Sequence, residues 1–235
     1  MTAAHFRALH HGGTPLILPN AWDPVSARIV AEGGYLAVAT SSGAVARVLG
    51  YDDGQLTPPA EMFAAVARIV RAVDVPVTAD VEAGYGLPPN EFVERLLETG
   101  AVGCNLEDST AGQLTDIGEQ SDYLAEVRAV AGAELVINAR IDTFIRPVDD
   151  PVAEAIRRGR EYRRAGVDCV YPIMAPTEQL AQVVAGVGGP VNGHAAIGGQ
   201  TAAELVAAGA IRISYGTSLH KHLMDNLRAL LPTLD

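Results

Sequence analysis

The acidic side chains able to do chemistry fall in two short motifs, with an arginine in a third. Asp80 and Glu82 lie in Ala79-Asp80-Val81-Glu82-Ala83-Gly84-Tyr85-Gly86, Glu107 and Asp108 in Asn105-Leu106-Glu107-Asp108-Ser109, and Arg140 in Asn138-Ala139-Arg140. Each follows a short apolar run. Carboxylates brought together repel one another and hold protons unless a cation sits among them. Hard oxygen donors with no accompanying Cys suit Mg²⁺, with Mn²⁺ as the alternative. Asp80 and Glu82, two residues apart, would point to one side of an extended chain. Arg140 offers the planar fork that matches a carboxylate, and an ion pair with Asp142 or Glu107 is its structural alternative. Asp108 reads equally well as a functional acid and as a residue holding a turn.

These residues matter together only if the fold brings them together. Short apolar runs alternate with amphipathic ones along the whole chain. The apolar runs are 15–20, 35–40, 75–80, 102–107, 134–140, 168–173, 190–194 and 211–215. Helical patterns follow at 24–32, 59–72, 89–99, 121–131, 151–165, 177–187, 201–208 and 218–231. Alternation of this kind predicts a parallel sheet, and eight such units are what a closed barrel requires. Glycines stop the helices at Gly33-Gly34, Gly100, Gly132, Gly166, Gly188-Gly189 and Gly209, and Pro24, Pro59, Pro89 and Pro151 stand near helix starts. An open doubly wound sheet would show a glycine-rich phosphate loop after its first strand. Here that strand runs into Pro19-Asn20-Ala21-Trp22-Asp23. The expected fold is α/β, a (β/α)8 TIM barrel forming one domain over residues 1–235. Its active site belongs at the C-terminal strand ends. Those ends add Ser42, Gly43 and Ala44 after strand two. Trp22 follows strand one, Asn192 and His194 close strand seven, and Tyr171 stands in strand six. Trp22 and Asn192 are candidate substrate contacts. His194 has the position and ordinary pKa of a general acid or base.

Composition narrows the function classes. The 235 residues are 49% hydrophobic and 5% aromatic, which suits buried strands under Ala-rich helices. A formal charge of −11 argues against nucleic acid and anionic membranes as partners. Cys104 and Cys169 lie in apolar runs and read as buried, reduced thiols of a cytoplasmic protein. No apolar run is long enough to span a bilayer, and the N-terminal stretch lacks a signal-peptide core.

At these motifs, together with Leu18-Pro19-Asn20-Ala21-Trp22-Asp23 and Thr40-Ser41-Ser42-Gly43, the sequence resembles the isocitrate lyase / phosphoenolpyruvate mutase superfamily. The likeness continues to Arg212-Ile213-Ser214-Tyr215-Gly216. The resemblance implies that Asp80 is the direct Mg²⁺ ligand, with Glu82 and Glu107 acting mainly through metal-bound water. Glu82 stands where the family often has Asp. The resemblance further implies that Ser42, Gly43 and Ala44 hold the substrate's oxo group and carboxylate, and that Arg140 steadies an enolate.

The departures are equally informative. The lyases carry Lys-Lys-Cys-Gly-His after strand four, and this chain has Ser109-Thr110-Ala111-Gly112-Gln113-Leu114-Thr115-Asp116. The Lys and Asn with which the mutases handle a phosphonyl group are absent there too. The lyases' Glu and the mutases' His at strand six are replaced by Tyr171 and Ile173. The expected function is therefore a Mg²⁺-dependent carbon–carbon lyase or decarboxylase acting on a small 2-oxo or 2-hydroxy (di)carboxylate through an enolate. The alternatives are phosphonate chemistry (P–C hydrolysis or a mutase-like reaction) and a non-catalytic metabolite-binding barrel. Residues 45–57 and 109–119 are expected to be lids. The resemblance implies a homo-oligomer, dimer or tetramer, often with an exchanged last helix. The stripe of Leu219, Leu223, Leu227, Leu230 and Leu231 could serve that contact, or could pack on its own barrel.

Overall fold

The computed structural model describes residues 2–234. In chain order the elements begin with α1 (Ala3–Leu9), β1 (Leu16–Leu18), β2 (Asn20–Ala21), α2 (Pro24–Glu32), β3 (Val38–Thr40), α3 (Ser42–Leu49), α4 (Pro59–Val70), β4 (Val77–Asp80) and α5 (Pro89–Glu98). Next come β5 (Gly103–Glu107), the short pair β6 (Ser109–Thr110) and β7 (Gln113–Leu114), α6 (Ile117–Ala131), β8 (Val136–Ile141) and α7 (Pro151–Arg164). The chain ends with β9 (Cys169–Pro172), α8 (Thr177–Val187), β10 (Asn192–His194), α9 (Ala202–Ala207), β11 (Arg212–Ser214) and α10 (Ser218–Leu230).

The strands pair in parallel in the order β2-β3-β4-β5-β8-β9 and β1-β11-β10. Two joints close these arcs into a barrel. Pro19, which has no N–H to donate, separates β1 from β2, but its carbonyl still accepts from Ala39 (3.3 Å). A parallel bridge between Val170 and Val191 joins β9 to β10, supported by Val170 N–H donating to Pro190 (3.1 Å). All eight expected apolar runs form barrel strands, because strands covered on both faces read as continuous apolar sequence.

Alternation along β5 and β8 sorts their side chains. Cys104, Leu106, Ile137 and Ala139 join Phe92, Leu96, Leu124 and Val127 of the covering helices in one buried cluster. Asn105 and Asn138 take the opposite sense and hydrogen-bond each other (2.8 Å), and Asn105 also accepts from the wholly buried Arg212 (3.1 Å). Burial holds the Arg212 guanidinium below its ordinary value.

Four features were missed or left open by the sequence expectation. Helix α1, capped by Thr2, packs Phe6 against Leu16, Leu18, Val102 and Val136. A Cβ on Gly103 would stand 2.8 Å from the Phe6 ring, so only glycine admits this plug. His10 is buried beside it. Its Nδ1 lies 2.9 Å from the Phe6 carbonyl oxygen and its Nε2 3.3 Å from Arg212. Residues 42–49 form α3 rather than the start of a loop, capped by Ser41 and ended by left-handed Gly50. Residues 109–114 form a small hairpin, and α6 starts at Ile117 because Asp116 caps it. Finally, Leu223, Leu227 and Leu230 of α10 and Leu231 just after it are about half exposed, so this part of the stripe is not covered by its own barrel. Among the described residues no helix is long and apolar enough to cross a membrane.

Candidate functional site

The C-terminal strand ends surround a cavity of about 230 Å³ lined by Asp53, Gly54, Glu82, Glu107, Arg140 and Arg146. Asp80, the last residue of β4, lies beside it. Its carboxylate accepts from both the backbone N–H (3.0 Å) and the hydroxyl (2.8 Å) of Ser42. Ser42 opens α3, so this carboxylate meets the positive end of a helix. Burial nevertheless raises the Asp80 pKa, with Arg140 and the Ser42 bonds pulling the other way.

Glu82 reaches the cavity by an unexpected route. β4 ends at Asp80, and Glu82 has φ +49°, so the two acids do not share one side of an extended strand. A turn swings Glu82 inward, where its carboxylate accepts the amides of Gly54 (3.0 Å) and Gln55. Burial, more than neighbouring acids, pushes it up to about 7. Glu107 ends β5 and pairs with Arg140 Nη1 at 2.5 Å. Burial pushes Glu107 up to about 8, with Arg140 opposing and Asp142, Asp80 and Glu82 adding to the rise.

Arg140 is held by β8 in register with Glu107 on one side and Tyr171 on the other. Its Nε and Nη2 donate to Asp142 (2.7 and 3.0 Å). Burial works against the guanidinium, but Glu107 and Asp142 outweigh it and keep Arg140 charged. Asp142 is wholly buried and also accepts from Ser109 Oγ. Behind it, Asp108 accepts from Asp142 N–H (2.9 Å), Arg158 Nη1 (3.0 Å) and the Tyr162 hydroxyl (2.8 Å). Asp108 thus holds structure together: a buried relay from α7 fixes the carboxylate that fixes Arg140.

Four carboxylates, Asp53, Asp80, Glu82 and Glu107, line or adjoin the cavity with two arginines, and a fifth, Asp142, stands against both arginines. Among the described residues no three His, Cys, Asp or Glu side chains stand in a metal-holding group. Asp80, Glu82 and Glu107 instead engage the neighbours named above, and Asp53 accepts from the Gly54 N–H (3.2 Å). The donor set fits a hard divalent ion in kind: all oxygen, from the ends of β4 and β5 and one loop, with two acids whose burial makes them costly to ionise alone.

The phosphoenolpyruvate phosphomutase family model matches residues 6–234. The chain belongs to that family. An uncharacterized protein of Mycobacterium tuberculosis H37Rv, Rv1998c, is 32% identical over 90% of this chain and 81% of its own. An oxaloacetate decarboxylase of Pseudomonas savastanoi pv. phaseolicola is 31% identical over 79% of this chain and 68% of its own. A crystal structure from Burkholderia cenocepacia J2315, assigned as a phosphonomutase, superposes with TM-score 0.91 at 38% identity, covering 98% of this chain and 99% of that one. Further relatives in the family are named as 2-methylisocitrate lyase and 2,3-dimethylmalate lyase.

Of the other candidate residues, Gly43 adjoins the site and the rest are set apart from it. Gly43 and Ala44 are buried in the first turn of α3, and the Ala44 N–H is taken by Ser41 Oγ (3.4 Å). A Cβ on Gly43 would lie 2.5 Å from Asp53 Oδ2, so this glycine lets Asp53 approach. Trp22 is not at the cavity. The chain turns outward after β2, and the indole packs edge-on against His220 (5.0 Å) in a groove beside Val45, Leu49 and Arg68. Asn192 is wholly buried, donating to Gly193 O (2.9 Å) and Ser214 Oγ (3.0 Å) within the barrel, and does not line the cavity. His194 does not line it either; its Nδ1 lies 2.6 Å from the Tyr171 hydroxyl. Burial, then the charge of Arg140, pushes His194 down to about 4, so it is neutral at physiological pH.

Sequence reasoning missed Asp53 and Arg146. Asp53 lies in Asp52-Asp53-Gly54, a turn signal inside a segment read only as a lid. Arg146 stands six residues beyond Arg140. Its N–H bonds Asp142 O (2.9 Å), and this single helical turn returns its side chain over Asp142.

Proposed function

We propose that this chain is a divalent-metal-dependent carbon–carbon lyase or decarboxylase for a small 2-oxo or 2-hydroxy dicarboxylate, proceeding through an enolate. The observation that carries the reading is the meeting of Glu82, Glu107 and a permanently charged Arg140 in one cavity at the strand ends. Asp80, Glu82 and Glu107 would hold Mg²⁺, or Mn²⁺ in its place, with Asp53 beside them. Such an ion supplies Lewis-acid stabilisation for negative charge developing on a substrate oxygen. Ser42 fixes the Asp80 carboxylate, and Gly43 presents a first-turn N–H to an anion. Arg140, locked on Asp142, adds fixed positive charge without reorganisation as the reaction proceeds. Neutral His194, paired with Tyr171, can hold or pass a proton close to Arg140. The decarboxylase and lyase relatives support carbon–carbon chemistry.

The test is pyruvate release from oxaloacetate, 2-methylisocitrate and 2,3-dimethylmalate, with Mg²⁺ and with chelator. Turnover above the metal-only rate that disappears in Asp80→Asn supports the proposal; equal rates in the two proteins defeat it. Phosphonopyruvate is the second reading, favoured by the 38% identity to the Burkholderia structure. Phosphorus NMR of P–C bond loss or formation distinguishes it.

The reading includes residues 1–235 acting as one barrel domain in the cytoplasm, where the two buried thiols stay reduced. It also includes a homo-oligomer, supported by the exposed α10 leucines; the mass in solution tests this.

A further inference from the structure

The two arginines of the cavity are differently employed. Arg140 spends Nε and Nη2 on Asp142 and Nη1 on Glu107. Its fork is committed to protein carboxylates. Arg146 lies against the same buried Asp142, its Nε 4.0 Å from Oδ2. That Nε donates to Ser109 Oγ (3.2 Å), and the Ser109 hydroxyl donates in turn to Asp142. Among the described residues, neither terminal nitrogen of Arg146 has a protein acceptor. The side chain is 28% exposed and lines the cavity. One edge of this guanidinium is therefore anchored, while its Nη1/Nη2 edge is free and fixed in direction.

An anchored guanidinium with a free edge is a carboxylate receptor, because two parallel N–H bonds match two carboxylate oxygens. We infer that Arg146 binds the distal carboxylate of the substrate and selects dicarboxylates over monocarboxylates. The inference rests on reading the cavity as a site for small carboxylic acids. It assigns the two ends of the ligand to different residues. The 2-oxo or 2-hydroxy end lies toward Ser42, Asp80 and Glu82, and the far carboxylate lies at Arg146. The anchor explains why the cation does not collapse onto the cavity acids: Ser109 and the single turn from Asp142 hold it at the rim. It also gives the hairpin β6–β7 a role, since Ser109 begins that hairpin. Lysine at this position would bring the charge but not the planar edge.

The test compares (S)-malate with (S)-lactate, which differ by the distal carboxylate, binding to the full chain with Mg²⁺ by calorimetry. Wild-type protein is expected to favour malate. Arg146→Met should weaken malate roughly 10- to 100-fold, the range for losing a charge-assisted bidentate contact, and weaken lactate far less. Arg146→Lys should fall between. Thermal melting of each variant checks folding, which a rim side chain should leave intact. Retention of the wild-type malate-to-lactate ratio in Arg146→Met, or equal binding of the two acids by wild type, overturns the inference. Failure of the enzymatic reading is distinguishable: wild-type protein would then turn over none of the acids, while the Arg146-dependent preference for malate would persist.

Discussion

Replacing Asp108 by Ala should destabilise the protein by about 3 kcal/mol and slow it as an enzyme without touching the cavity lining. Asp108 is wholly buried, and its partner Arg158 is only 6% exposed. Truncation strands three donors: Asp142 N–H, Arg158 Nη1 and the Tyr162 hydroxyl. Breaking a buried ion pair from one side costs about 3–5 kcal/mol, because the remaining charge keeps its desolvation penalty. Arg158 retains Glu154 (2.8 Å) and Thr115 O (3.0 Å), which places the expectation at the low end of that range. Burial works against the Asp108 anion and raises its pKa, so the neutral isostere Asn should cost less, about 1–2 kcal/mol. The double variant Asp108→Ala with Arg158→Leu should lose less than the two single losses combined, since it removes the stranded cation. Urea unfolding followed by the fluorescence of the single tryptophan, Trp22, measures each. The same variants should lower kcat, since Asp142 and hence Arg140 lose their support. A loss under about 1 kcal/mol for Asp108→Ala, or strict additivity in the cycle, would refute the assignment of this network as the fixed base of the site.

Three further outcomes are expected. A divalent ion at a hundred times its Kd should stabilise wild-type protein by about 2.7 kcal/mol, or roughly 5–10 °C in Tm for a chain this size, and Asp80→Asn should abolish the shift. Burial, then the charge of Arg212, pushes His10 down to about 4, below its ordinary 6.5. The unfolded chain then binds the proton first as pH falls. His10 therefore contributes stability that is full above 6.5 and lost as pH falls toward 4, by about 3 kcal/mol at most. His10→Gln should flatten the stability profile in that window, as urea titrations at successive pH values will show. Cys104 and Cys169 are wholly buried, and burial pushes both thiols up to about 12. Neither should react with an aromatic disulfide reagent in the native protein, and both should react in urea.

The barrel was legible because its signals are local and repeated. Each buried strand is an apolar run, most helix stops carry a glycine, and several helix starts a proline. Long-range compensation hid the rest. Residues 42–44 read as the start of a loop after strand two, yet Ser41 and Gly50 are the two caps of α3. Helix α1 gave no helical signal because only Ala3 and Phe6 of it are buried. Trp22 and Asn192 were assigned from their places at strand ends, but a strand end fixes position along the barrel, not the side toward which the next side chain turns. Asp53 and Arg146 sit outside strand ends and are brought back by a loop and a single helical turn.

Glu82 shows most clearly why period-two reasoning reached the correct cavity by an incorrect path. A residue other than glycine at φ +49° is disfavoured by backbone sterics and persists where its surroundings over-determine it. Here the constraint is visible on both sides: Glu82 O accepts from Glu107 N–H (2.9 Å), while the side chain accepts from Gly54 and Gln55. One acid therefore ties the end of β5 to the loop after α3. Neutralising Glu82 alters that tie as well as the charge, whereas the backbone bond to Glu107 survives any side-chain change. The cavity acids are thus held in place partly by the loop they face, which makes the Asp53–Gln55 segment part of the site rather than a cover over it.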